Sequence, residues 1–208
     1  MDDLASLSQA IAACRICVEQ PIRRPLPHEP RPVAWPSATA RILIAGQAPG
    51  TRVHASGRPF TDPSGDRLRS WMAIDAATFY DRARIAVVPM GFCFPGLDAK
   101  GSDLPPRPEC RATWHDRLMA AMPQIDLILA VGATAQHYHL TRLGLGRLIA
   151  PTLTETVGNW ETILEVSAQP AVFAMPHPSW RNSGWLKRHP WFEAHLLPVL
   201  RRRIAERL

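Results

Sequence analysis

The chain lacks both glycine patterns that mark phosphate loops, GxGxxG and GxxxxGK followed by Ser or Thr. It also lacks any apolar run of about 18 residues or more, so no membrane-spanning helix is predicted. Its start, MDDLASLSQAIAAC, is acidic and does not read as a signal segment. Internal repeats and low-complexity tracts are missing as well, and cysteines number only four in 208 residues. These absences argue against a standard nucleotide-phosphate loop, a membrane span and a disulfide-stapled scaffold. They point to a cytoplasmic protein, where thiols stay reduced and four cysteines serve as free thiols or metal ligands.

What is present is ordinary for a globular fold: 46% hydrophobic and 20% charged residues, enough to build a core without staples. The 208 residues fit one domain, read as a monomer. Lys and Arg total 24 against 18 Asp and Glu, a net charge of +6. That balance favours a polyanionic partner such as nucleic acid, although solubility alone accounts for it equally well.

Four short apolar runs recur: RILIAG (41–46), IAVVPM (85–90), LILAVG (127–132) and AVFAMP (171–176). Each is continuous and bounded by turn or polar residues, the pattern of strands buried on both faces of a parallel sheet. Between them, Leu68, Trp71 and Met72, and then Trp114, Leu118 and Met122, fall at helical spacing. The alternation predicts an α/β fold: three layers around a central four-stranded, mainly parallel sheet flanked by helices. Residues 19–37 are rich in proline and are expected to run extended over the surface as a connector after an N-terminal, Cys-bearing helix. A second Pro- and Gly-rich loop, FPGLDAKGSDLPPRPEC, follows the second strand, and the chain closes on a helix with a basic end whose Arg run reads as a solvated, dipole-complementing face.

Ligands of open α/β sheets bind beyond the carboxyl ends of the strands. The polar residues gather there: GQAPG after the first strand, GFCFPG after the second, GATAQHYH after the third and HPSWRN after the fourth. GQAPG, the SGRPF segment ending in Phe60, and HPS at 177–179 together resemble, in order and spacing, the uracil-DNA glycosylase superfamily. The resemblance runs from the cysteine pair CRIC to the segment after HPS. Cys14 and Cys17 early, with Cys93 and Cys110 far along the chain, resemble the bacterial and archaeal branches that carry a [4Fe-4S] cluster. Two other readings of these cysteines stay open: a tetrahedral zinc site and a set of buried apolar thiols.

The resemblance implies a DNA-repair enzyme, a monofunctional glycosylase that flips uracil from single- or double-stranded DNA and hydrolyses its N-glycosidic bond. His177 would donate to the uracil oxygen where charge builds, and Phe60 would stack on the flipped base. Gly46, Gln47 and Ala48 would cradle base and sugar, with Gln47 supplying donors near the attacking water. Ser179, Trp180, Arg181, Asn182, Lys187 and Arg188 form the expected DNA-facing segment.

Two departures matter. The best-known members carry Asp where this chain has Ala48, so a water-positioning carboxylate must come from elsewhere; Asp62 is the candidate, with Asp66 the other acid of TDPSGD. Many relatives carry Asn where this chain has Pro89, and proline cannot donate. Reading the base would then fall to backbone groups of Met90, Gly91 and Phe92, or to a side chain elsewhere that the sequence does not identify. The basic, His-bearing insertion of covalently trapping relatives is missing from FPGLDAKGSDLPPRP, which implies ordinary turnover. Two alternatives stand beside this reading: a glycosylase for another deaminated base, hypoxanthine or xanthine, and an inactive DNA-binding module of the same fold.

Overall fold

The computed structural model describes residues 3–167 and 169–208. The four apolar runs form strands β1 (Ile42–Ala45), β2 (Ile85–Val87), β3 (Leu127–Val131) and β4 (Ala171–Met175). They form one all-parallel sheet in the order β2-β1-β3-β4, in register through Ile42↔Ile85, Ile42↔Leu127 and Leu127↔Ala171. Because successive strand residues point to opposite faces, alternate positions feed two cores. Leu43, Ala45, Ile128, Ala130, Val172 and Ala174 face one, and Ile42, Ile44, Leu127, Leu129, Phe173 and Met175 face the other. The two helical stripes divide between those faces: Trp114, Leu118 and Met122 cover the first, Leu68, Trp71 and Met72 the second. This is the expected three-layer α/β architecture.

After β1 and β2 the chain crosses back to place β3 on the other side of β1. The order therefore reverses between β1 and β3, and the crevice beyond their carboxyl ends is the natural ligand position.

Three regions differ from expectation. The first concerns the cysteines: helix Leu4–Ala12 ends before Cys14, and Cys17 lies on a separate short helix, Ile16–Glu19. Second, the Pro-rich connector does not simply lie over the surface. Trp35 exchanges two backbone hydrogen bonds with Val87, of 2.7 and 2.9 Å, and the Val33 amide donates to Phe92 O at 2.7 Å. An edge strand offers unpaired backbone groups, and the connector satisfies them for β2 while burying Val33 and Leu26. Third, the helix expected at 109–122 widens into a π-helical turn at Arg111–His115, and the C-terminal helix does the same at Phe192–Leu196.

The basic C-terminal end also clasps the fold. Arg201 donates to the Trp71 and Ser70 carbonyls, and Arg207 Nε donates to Asp126 Oδ1 at 2.6 Å, while Arg41 binds the other oxygen of that buried carboxylate. Asp126 immediately precedes β3, so the last turn of the chain is tied to the start of a central strand.

His139, on helix Ala133–Arg142, is 1% exposed and its Nδ1 has no hydrogen-bond partner among the described residues. Burial lowers its pKa to about 3. The unfolded chain takes up this proton near 6.5 while the folded one refuses it until about 3, so stability falls as pH drops through that window. Chemical denaturation followed from pH 7 to pH 4 is expected to show this loss, and His139→Leu to flatten it.

Candidate active site

The loop after β1 is an extension of the sheet. Gly46 O accepts from the Met90 amide at 2.9 Å and Gln47 O from the Gly91 amide at 2.7 Å, continuing the pairing of Ile44 O with Val88. The Gln47 side chain then turns across the β1/β3 switch point. It comes close to Gly132, where a Cβ would stand 2.8 Å from Nε2, and it is the φ of +86° at Gly132 that calls for glycine.

Behind this loop is a cavity of about 100 Å3 lined by Gly46, Gln47, Phe60, Asp62, Pro89 and His177, among others. The volume is well below the roughly 300–1,000 Å3 of drug-sized sites, so it admits one flat ring and little more. Phe60 forms one wall. Its ring packs edge-on against Phe79 at 5.8 Å, and its backbone has φ 54°, a conformation rare outside glycine. Tyr80 and Arg69 hold that strained peptide by donating to Phe60 O, and Gly65 presses against the same oxygen.

His177 follows β4 and faces the cavity. Burial pushes its pKa below the ordinary histidine value, against the opposing pull of the Asp62 and Asp103 carboxylates, so the ring is neutral at pH 7 and presents one N–H. Asn182 fixes the peptide by donating to His177 O at 2.7 Å. Asp62 occupies the N-cap position of helix Pro63–Met72 without a capping bond to its amides, and its Oδ1 accepts from Ser64 Oγ at 2.6 Å.

The cavity opens into a groove of about 540 Å3 that shares Gln47, Ala48, Asp62, Asp103 and His177 and adds Ser179, Trp180 and Arg181 on one lip. Trp180 is 73% exposed, an unusual place for a large apolar ring. Arg67 holds the lip in place through Ser179 O at 2.7 Å and Ser183 Oγ at 3.1 Å. Lys187 and Arg188 are exposed on the following helix, outside the groove lining.

Met90, Gly91 and Phe92 lie elsewhere. Met90 and Phe92 are buried in the core, and all three amides are engaged, the first two by the β1 loop and the third by Cys110 Sγ at 3.4 Å. They do not line the cavity, and their N–H groups are not free to read a base. The wall there is Pro89, whose carbonyl lies 3.0 Å from His115 Nε2, while His115 Nδ1 lies 3.0 Å from Cys110 O. A neutral imidazole can donate to only one of these carbonyls.

The four cysteines lie near one another. Cys17 and Cys93 pack with Leu26, and Cys17, Cys93 and Cys110 are buried with Cys14 half-buried. A hydrogen bond from Cys110, together with Arg107, holds the Cys17 thiol at about 7, while burial pushes Cys93 to about 12. Cys93 feels the charge of both Cys14 and Cys17, and Cys110 that of Cys17 and Cys93. Among the described residues, no three His, Cys, Asp or Glu side chains are grouped to hold a single metal ion.

A flat-ring cavity at the switch point, walled by an aromatic ring and a neutral histidine and opening into a groove, is the geometry of an enzyme that handles one extruded base. The sequence matches the family described as the Uracil DNA glycosylase superfamily over residues 34–201. The chain belongs to this superfamily. It is accordingly a DNA glycosylase, a DNA-binding hydrolase of DNA repair. No helix among the described residues is long and apolar enough to cross a membrane.

Asp103 is the site residue that the sequence did not single out. It lines both cavity and groove, yet it comes from the loop 94–110, whose composition signals only turns. Its nearest sequence clue is the Asp-Ala-Lys-Gly-Ser turn preceding it, which marks a reversal but not where the reversal points.

A Cβ at Gly65 would stand 1.9 Å from Phe60 O, a backbone atom that cannot swing away. Gly65→Ala is therefore expected to cost about 1–3 kcal/mol, as overpacking does, and to lower Tm by roughly 2–12 °C in a thermal melt.

Proposed function

We propose that this glycosylase removes uracil from DNA by hydrolysis and releases an abasic site with ordinary turnover. The observation that carries the reading is the one-ring cavity closed by Phe60 and His177. A base must leave the stack to reach such a site, and Trp180 at the lip supplies an apolar ring to occupy the space it vacates, with Arg181 beside it for phosphate. Phe60 stacks on the flipped base. As the glycosidic bond breaks, its electron pair leaves with the base, and the His177 N–H stabilises the charge that gathers on the base oxygen. Water bonds to the sugar carbon on the other side and gives its proton to Asp62, which Ser64 keeps in place. The Gln47 amide, carrying both donors and an acceptor, replaces the reading group that Pro89 cannot provide.

The engaged amides of Met90 to Phe92 favour a second reading, in which base choice is broader and includes hypoxanthine or xanthine. The small cavity weighs against it, because a purine needs two fused rings.

We further propose that Cys14, Cys17, Cys93 and Cys110 hold a [4Fe-4S] cluster. Cys110 hydrogen-bonded to Cys17, and Cys93 near both Cys14 and Cys17, bring thiols from both chain regions to one corner, as a cluster held by four thiolates requires. The cluster would staple the N-terminal helices and the connector to the loop after β2.

Strand scission after alkali, on oligonucleotides carrying one uracil, hypoxanthine or xanthine, tests the activity. Cleavage at uracil is expected, with His177→Ala slower by about 10²–10³ and Asp62→Asn losing turnover while still binding DNA. No scission on any of the three substrates would leave a binding module. Binding to uracil-free DNA should weaken steeply with salt, and Arg181→Ala should reduce the slope by about one phosphate contact. Brown protein containing iron and sulfide, rather than colourless protein with one zinc, is the expected state of the cysteine corner.

A further inference from the structure

The chemistry at this site builds positive charge on the sugar, and the β1 loop faces that position with only the methyl group of Ala48. Asp62 contributes a carboxylate, but one oxygen is already bound by Ser64. A second carboxylate lines the same cavity and groove. Asp103 stands on a small hairpin in which Leu97 and Asp103 form an antiparallel bridge, the Leu104 amide donates to Gly96 O at 2.9 Å, and Asp98 Oδ1 accepts from the Lys100 and Ser102 amides at 2.8 Å each. Gly101, at φ +75°, lets the chain turn between them.

The hairpin thus fixes where Asp103 points. Its carboxylate leans over Gly50, with Oδ2 3.4 Å from where a Cβ would be. It lines the base cavity and the groove together with His177 and Asp62. Among the described residues no donor engages its oxygens, although Asp3, Asp62, Asp75, Asp98 and Asp126 all accept hydrogen bonds. Partial desolvation, with the Asp62 carboxylate adding to it, outweighs the pull of Arg181 and His177 and raises its pKa, although the residue as a whole is exposed on the lip.

We propose that Asp103 is the carboxylate that faces the cationic sugar, supplying from the hairpin after β2 the negative charge that the β1 loop lacks. This rests on the glycosylase reading but not on the identity of the base. Asp62 then handles the water and Asp103 the charge, two acids lining one cavity.

The test compares binding to duplexes carrying a cationic pyrrolidine abasic analogue with binding to duplexes carrying the neutral tetrahydrofuran analogue, for the wild-type protein and Asp103→Asn. The wild-type protein is expected to prefer the cationic analogue by about tenfold or more. Asp103→Asn should lose most of that preference while binding the neutral analogue as before, which also shows that the variant is folded. Three results would overturn the proposal: no preference in the wild-type protein, a preference retained in Asp103→Asn, or parallel changes for both analogues, the mark of a residue that only steers the backbone. Failure of the uracil reading looks different: the charge preference and its loss in Asp103→Asn persist while uracil oligonucleotides stay intact.

Discussion

The left-handed backbone of Gly132, at φ +86°, turns the chain from β3 into the following helix and brings it against the Gln47 side chain at the mouth of the sheet. Gly132 gives its amide to Met175 O, receives the Gln136 amide on its own carbonyl, and lets Gln136 Nε2 reach Met175 O at 2.9 Å. The ends of β1, β3 and β4 are thereby joined into one rim. His177 leaves that rim two residues after Met175, so the histidine and the glutamine enter the cavity from joined strand ends. A side chain at residue 132 would strain the positive-φ backbone there and displace the end of the Gln47 side chain.

Much of this architecture was legible in the sequence because it rests on local pattern. Continuous apolar runs identified all four strands, since a strand buried on both faces has no polar alternation to hide it. Helical spacing identified the two stripes that cover the faces. GQAPG, Phe60 and HPS were legible as one site because strand ends converge in this fold class. What could not be read depends on partners distant in sequence. Nothing in Met90, Gly91 or Phe92 reveals that Gly46, Gln47 and Cys110 occupy their amides. Nothing in the Pro-rich connector reveals that Trp35 pairs with Val87. Asp103 was hidden for the same reason, because a turn signal gives the reversal of a chain and not its destination.

The site divides into a rigid interior and a displayed exterior. Inside, strained Phe60 is held by two donors and a glycine contact, and neutral His177 is held through Asn182. At the lip, Trp180 stands in solvent on a segment that Arg67 tethers through the Ser179 carbonyl before it and the Ser183 hydroxyl after it. An apolar ring of that size would otherwise fold back onto the nearest hydrophobic surface. The tether keeps it presented to a partner, which agrees with a surface whose task is to enter a stack of bases.

His115 stands between the Pro89 wall and the Cys110 turn, one ring nitrogen facing each carbonyl. The chemical floor of the pocket and the cysteine corner are consequently one mechanical part, although they are read as separate motifs. Placing an amide side chain at position 89 alone would alter what the wall displays while leaving it braced in its present position. Transplanting a different base preference into this scaffold would therefore be a problem of moving a joint, with His115 and the 110–115 turn carried along as its hinge pin.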